Sequence, residues 1–516
     1  MAVKDEIRFY DVSALSVTPG IYDRCNAAYL QKQLEIRFPE EQFRVLHVLL
    51  NETGSYNSQD WPMSHLRSRT QFDGLPAYCE VVINHITGAA DENIIVWCPL
   101  AWNDRFTGTA GGGTLTGGFS HLVPPTNAIR DWLVSDAVIN GFSAATTDAG
   151  NNIHGENWAL DPQTGKILWD RVKNWHGRST HNMTLFGKAV TEILHQRPVQ
   201  YAYLSGESGG GRQCIVSAQA YPRDYDGIWA SNPGVNWHDL AICAAWPLAV
   251  MNTQKNYVNR EKMEYFARKV HESVGGSAAY YSMTERVDFD PFALVGHDSG
   301  NGVITAEDAA VVGRIWDGPR RPDGRQICPG FRPGVINWLS VQPVGFFYYE
   351  PGVSKPKLFP LATHMLRWAV QDPGRTFDDV TEADVEMLYD SLKTHFADTY
   401  ADQADLRQFA ALGGKLLADH GVDDALICID NFLSYYHRLL ENHGGKEALD
   451  TFARVYVMPG CCHSSCYGNG PGIAQATGMQ ALIRWVEEGI APGVLPTVQL
   501  DRRTEEILAR SEVAPL

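Results

Sequence analysis

The sequence predicts an α/β fold: a mostly parallel sheet flanked by helices, with a large insertion ahead of the last strands. Three observations carry that reading. Short apolar runs alternate with stretches of helical period, a Gly-x-Ser-x-Gly pentapeptide stands at one strand-to-helix junction, and an aspartate pair and a histidine follow two late strands in that order.

The apolar runs are residues 94–97, 201–204, 415–418 and 455–458, each expected to be a buried strand of a parallel sheet. Helical periods cover 183–195, 212–220, 429–440 and 479–488, so strand and helix alternate. From about 234 to 402 the pattern changes. Trp, Tyr, Pro and Gly become frequent, and 316–331 and 341–359 read as irregular packed loops. This segment is expected to be a lid inserted between a first core part, 1–233, and a second, 403–516. A chain of 516 residues exceeds what one compact core usually holds, and an insertion of this size accounts for the excess.

Hydrophobic residues make up 44% of the chain and charged residues 20%, which excludes a wholly disordered protein. Lys and Arg number 43 against 60 Asp and Glu, a net charge of −17 that repels nucleic-acid backbones and anionic membranes. A strongly anionic substrate would need a local basic patch. The longest apolar stretch, 240–251, is shorter than the ~20 residues of a membrane span and contains Pro247. The N-terminus lacks the apolar core of a secretory signal, so the chain as written is expected to be cytoplasmic; a secreted protein trimmed of its signal would read the same. Ten cysteines are too few for a disulfide scaffold.

The pentapeptide is Gly206-Glu207-Ser208-Gly209-Gly210. A serine at such an elbow occupies a strained turn that only small flanking residues allow, and the turn exposes its hydroxyl. The helix that follows aims its first N–H groups at the place where an oxyanion would develop, so Gly209 is the first expected donor. The second is expected from Gly111-Gly112-Gly113, read as the loop after the strand near Val96, with Gly112 or Gly111 as the donor. Together these features predict the α/β-hydrolase fold, in which the acid and then the base follow the nucleophile in sequence. The strand at 415–418 leads to Asp423 and Asp424, between which spacing does not decide. The strand at 455–458 leads to His463, a base able to take the Ser208 proton and return it to a leaving alcohol. Cys461, Cys462 and Cys466 around His463 also suggest zinc, but no second ligand pair stands elsewhere in the chain. Cys214 lies inside the helix after the elbow and reads as a core thiol.

The chain resembles the tannase and feruloyl esterase family. The resemblance runs through Trp102-Asn-Asp-Arg-Phe106, Ala145-Thr-Thr-Asp-Ala-Gly150, Gly206-Glu-Ser-Gly-Gly-Gly-Arg-Gln213, His420-Gly-Val-Asp-Asp424 and Met458-Pro-Gly460 leading to His463. It implies Asp424 as the catalytic acid and a substrate-shaping role for the lid. Two departures stand out. Where the family carries a disulfide joining the residue before the nucleophile to the one after the histidine, this chain has Glu207 and Ser464, expected to hydrogen-bond in its place. The calcium-binding run of aspartates and glycines is absent from 271–288, with Asp298-Ser-Gly-Asn301-Gly a weak remnant, so no metal is expected. Cys25 and Cys79 match positions paired in secreted relatives, which leaves one disulfide open.

The expected function is a serine carboxylic ester hydrolase that needs no cofactor, acting on a small ester of an aromatic acid, feruloyl, galloyl or phthalate-like. Its rivals are an acyltransferase or lactone-forming enzyme using the same triad, a non-catalytic binding protein on the hydrolase fold, and a metal-dependent hydrolase built on the 461–466 cysteines. Sequence leaves the oligomeric state open.

Overall fold

The computed structural model describes residues 8–516 apart from 65–70, 123–131, 152–156, 336–346, 349–354, 359, 464, 465, 467, 469, 502, 503 and 505. Nine strands form the central sheet: β1 (Gln42–Asn51), β2 (Tyr78–Thr87), β3 (Ala90–Pro99), β4 (Arg105–Thr109), β5 (Ser143–Thr147), β6 (Tyr201–Glu207), β7 (Gly227–Ser231), β8 (Lys415–Gly421) and β9 (Ala453–Met458). Their spatial order is β1-β2-β3-β5-β4-β6-β7-β8-β9. From β5 onward every pairing is parallel, whereas β1, β2, β3 and β5 pair antiparallel.

The direction of β3 corrects the expectation for 94–97. A continuous apolar run reports burial on both faces and says nothing of a neighbour's direction. Here β2 and β3 are joined through Gly88 and Ala89 with Thr87 facing Ala90, a tight turn that permits only an antiparallel pair. Along β3, Ile94 and Val96 face one side of the sheet while Ile95 and Trp97 face the other, as a period of two requires. All four are fully buried, each such side chain adding roughly 1.5–3 kcal/mol to the core.

One face of the sheet is covered by α1 (Ala27–Arg37), α2 (Ser179–His195) and α3 (Gly209–Ala220). Between β7 and β8, which are hydrogen-bonded neighbours, the chain leaves the sheet and builds α4 (Trp237–Gln254), α5 (Arg260–Ser273), α6 (Ala306–Asp317), α7 (Pro360–Val370) and α8 (Glu382–His395). It then returns to supply α9 (Ile429–His443) on the first face and α10 (Gln475–Glu488) on the opposite one. In α9 the buried Ile429, Phe432, Tyr435, Tyr436 and Leu439 form a single apolar stripe, the spacing of a helix lying on a core.

The insertion is more helical than its composition suggested. Thr305 Oγ1 accepts from Asp308 N at 3.1 Å and Asp308 Oδ2 accepts from Thr305 N at 2.9 Å, a capping box that starts α6. Of the expected loop at 316–331, Trp316 and Asp317 close α6, and the remainder is turns and irregular chain with one isolated bridge between Arg320 and Gln326. Most of the second expected loop, 341–359, lies outside the described residues; Phe347–Tyr348 pairs with Lys357–Leu358 as a short antiparallel ladder. In α4 every residue from Trp237 to Met251 is buried, Pro247 included. A helix apolar all round belongs inside a core. That core also draws in Trp158, Leu160, Val172 and Trp175 from the connection between β5 and α2, so the insertion rests on residues well outside 234–402. No helix among the described residues is long and apolar enough to cross a membrane.

Candidate active site

Glu207 ends β6 and Gly209 begins α3, so Ser208 alone makes the elbow, with φ +62° and ψ −120°. Such a backbone costs a non-glycine residue about 1–3 kcal/mol and persists only where the surroundings hold it. Ser208 N donates to Ser231 O at 2.9 Å, and Ser208 O accepts from Arg212 N at 3.0 Å and from Gly234 N at 3.2 Å. The flanking glycines are required sterically. A β-carbon on Gly206 would lie 2.7 Å from Ala110 Cβ, and one on Gly210 would lie 2.2 Å from Gly111 O.

The Gly111-Gly112-Gly113 loop therefore sits directly on the first turn of α3. A β-carbon on Gly209 would meet Gly113 O at 2.3 Å. The loop follows β4 and not the strand near Val96, because β4 intervenes between them. Of the three glycines, Gly113 lines the cavity beside Ser208. Gly112 O accepts from Leu115 N, and Gly111 packs on the backbone of 115–117.

His463 lies in the loop after β9, and its Nδ1 is 2.7 Å from Asp424 Oδ2. The other oxygen, Asp424 Oδ1, accepts from Leu426 N at 2.7 Å and Ile427 N at 2.8 Å, a turn that aims the carboxylate. Burial pushes the Asp424 carboxyl up, but His463, His420 beside it and the Ile427 N–H together hold it below its ordinary value. His420 Nε2 is 3.9 Å from Asp424, and burial keeps this imidazole's pKa low. Asp423 points elsewhere, toward Tyr280 of the insertion, and burial raises it to about 7. The choice that spacing left open is thus made by geometry: Asp424 pairs with His463.

Ser208 and His463 open on one cavity. Its floor comes from Gly113, Gly209, Arg212 and Gly234, and its walls are Trp175, Trp237 and Leu240, Leu361 and Met365 of α7, and Leu426 and Ile427. Reasoning from sequence named none of the wall residues, since no motif records which apolar side chains the insertion presents. Arg212 stood inside a quoted motif without a role.

Ser464 lies outside the described residues, so its expected bond with Glu207 has no structural counterpart to report. Cys25 and Cys79 are disulfide-bonded. Cys461, Cys462 and Cys466 are buried, with Cys461 Sγ donating to Cys462 O at 3.5 Å and Cys466 Sγ to Gly472 O at 3.7 Å. Among the described residues no three His, Cys, Asp or Glu side chains come together in a metal-holding group. Cys214 packs into the sheet-facing core. Asp298 satisfies its own turn, accepting from Gly300 N at 2.9 Å.

The family model described as tannase and feruloyl esterase matches residues 79–513. A probable feruloyl esterase of Arthroderma benhamiae is 32% identical over 445 residues, covering 82% of this chain and 78% of that protein. Probable feruloyl esterase B of Aspergillus clavatus is 27% identical, covering 77% and 74%. Among solved structures, the tannin acyl hydrolase of Aspergillus niger superposes with a TM-score of 0.73 at 20% identity, covering 96% of this chain and 93% of that one. Feruloyl esterase B of Aspergillus oryzae gives 0.72 at 20% identity, covering 94% and 95%. These two likenesses establish a shared fold, and with the family match over most of its length, the chain belongs to the tannase and feruloyl esterase family of carboxylic ester hydrolases.

Proposed function

We propose that the chain hydrolyses a carboxylic ester of an aromatic acid through an acyl-enzyme on Ser208. One observation carries the reading: a strained serine elbow and a histidine held by a buried carboxylate open on the same cavity. His463 takes the Ser208 proton as the hydroxyl attacks the ester carbonyl, then returns it to the departing alcohol. Asp424 holds the imidazole tautomer and stabilises the imidazolium. Gly209 N–H receives the oxyanion together with an N–H of the glycine loop, from Gly112 as the sequence suggests or from Gly113, which lines the cavity. Water, activated by His463, then frees the acid and restores Ser208. The reaction draws on this chain's own side chains and needs no cofactor.

The aromatic preference is supported by Trp175 and Trp237, whose rings stand 5.5 Å apart at 88° and line the cavity with aliphatic side chains. As to compartment, the Cys25–Cys79 bond suits oxidising surroundings and weighs against the cytoplasmic expectation. The test is acid release from a panel of aromatic and aliphatic esters by wild type and Ser208→Ala, with mass spectrometry of the quenched wild type. Loss of at least ~10³-fold in the variant and an acyl adduct on Ser208 are expected. Full turnover by the variant would refute the assignment. Adding alcohols separates hydrolysis from acyl transfer by the product formed.

A further inference from the structure

Asp424 and His463 stand on two loops that are joined beside them. Asp423 N donates to Cys461 O at 2.9 Å, and a β-carbon on Gly421 would lie 2.4 Å from the same carbonyl oxygen. The joint is one residue from Asp424 and two from His463. The insertion touches both loops there, through two adjacent tyrosines. Tyr280 ends a short helix, Ser277–Tyr280, and its buried side chain faces the Asp423 carboxyl. Tyr281 packs on Gly460, which turns with φ +68°: a β-carbon on this glycine would meet Tyr281 Cβ at 2.7 Å and its ring at 2.8 Å. One tyrosine thus rests on the acid loop and its neighbour on the base loop.

Tyr280 is itself locked within the insertion. His271 of α5 stacks on it with ring centroids 3.8 Å apart at 22°, and the Tyr280 hydroxyl donates to Pro333 O at 3.1 Å. Gly334, with φ +84°, admits the ring where a β-carbon would meet it at 2.8 Å, and His271 Nε2 donates to Gly334 O at 3.0 Å. The same segment then grips the acid loop a second time. Arg332, 6% exposed, forks onto Asp430 in the first turn of α9, with Nη2 at 2.5 Å from Oδ1 and Nε at 3.1 Å from Oδ2, while Nη1 donates to Thr284 O at 2.7 Å. Contacts of the insertion therefore bracket Asp424, at Asp423 on one side and at Asp430 on the other. A proton relay tolerates roughly 0.5 Å of displacement, and a loop meets that only where packing locks it.

We propose that Tyr280 and Tyr281 are positioning residues of this site: together they set how the acid loop sits against the base loop, so that the insertion, besides walling the cavity, holds Asp424 on His463. The inference rests on the esterase reading above and deepens it. Neither tyrosine is among the residues that line the cavity, so their effect belongs to turnover and not to substrate binding. A His463 displaced from Asp424 is a poorer base in the transition state and leaves the ground-state complex as it was.

The test is ester turnover by the full-length protein and its variants, expressed per Ser208 titrated with a fluorophosphonate, together with the rate of that labelling and the melting temperature. In Tyr280→Ala and Tyr281→Ala kcat is expected to fall about ten-fold or more with KM held within about two-fold, and labelling to slow in proportion, because it draws on the same base. Tyr281→Phe keeps the ring and is expected to match wild type in both. Because the Ala variants could fail to fold, Tyr281→Leu, which keeps apolar bulk, supplies a second readout with an intermediate loss of kcat. Wild-type kcat and labelling rate in Tyr281→Ala, with only the melting temperature lowered, would overturn the proposal and leave the tyrosines as packing. A raised KM with unchanged kcat would also overturn it, assigning them to substrate binding. Failure of both the Ala and the Leu variants to fold would overturn it in favour of a folding role. No labelling of wild-type Ser208 and no turnover of the aromatic ester panel would instead refute the esterase reading.

Discussion

Asp423 and Asp424 are adjacent in one loop and live in opposite environments. Asp424 accepts two backbone N–H bonds and faces His463, so its charge is favoured. Asp423 faces Tyr280, whose hydroxyl already donates to Pro333 O at 3.1 Å and has no second hydrogen to offer. Burial dominates there and raises the Asp423 carboxyl to about 7. A carboxyl raised on folding contributes stability that is fully present below its unfolded pKa near 4 and lost as pH rises through 7. Asp423→Asn keeps a donor and removes the titration. Wild type is expected to lose roughly 2–4 kcal/mol more than the variant between pH 4.5 and 8, measured by denaturant unfolding. Asp148, Asp239 and Asp419 also rise to about 6, so only the difference between the two curves reports Asp423; parallel curves would refute the assignment. Sequence could not separate the two aspartates, because what distinguishes them is a tyrosine about 140 positions away and a histidine 39 positions on.

At the scale of elements, the glycines of the elbow and of the loop after β4 form one contact. Gly210→Ala would place its methyl 2.2 Å from Gly111 O, and the backbone there cannot yield as a flexible side chain would. We expect the loop to shift, lowering stability by about 1–3 kcal/mol and kcat/KM by about ten-fold or more, read by melting and by ester turnover. An unchanged kcat/KM would show that the loop supplies no donor. The glycine pattern was legible in the sequence because it records a local steric need. β4 and β5 were not, since Arg-Phe-Thr-Gly-Thr and Ser-Ala-Ala-Thr-Thr are short and partly polar, and only neighbours on both sides make them strands. The direction of β3 was hidden for the same reason: pairing partners lie outside the run that they pair with.

Over the whole molecule, the ends of the sheet strands carry the proposed Ser208, Asp424 and His463 group, and the insertion walls the cavity together with Trp175, Leu426 and Ile427 from the rest of the chain. Cys25 and Cys79 tie the chain ahead of α1 to β2, which three strands, β3, β5 and β4, separate from β6 in the sheet order. Replacing both with Ser is expected to lower stability by roughly 2–4 kcal/mol while leaving kcat per folded molecule unchanged, as unfolding curves and active-site titration would show. A change in kcat would mean that the bond reaches the site. The sequence by itself determined the Gly-x-Ser-x-Gly turn at Ser208, the chain order in which Asp424 and then His463 follow it, and the α/β alternation, because each is written in contiguous residues by periodicity or by the need for glycine. The tertiary structure alone decided which aspartate meets His463, that Trp175 and α7 wall the cavity, and that Arg212, among the described residues, stands there without a carboxylate partner. Each of these depends on side chains brought together from distant parts of the chain, and burial, which sets their charge and their contacts, exists only once they have met.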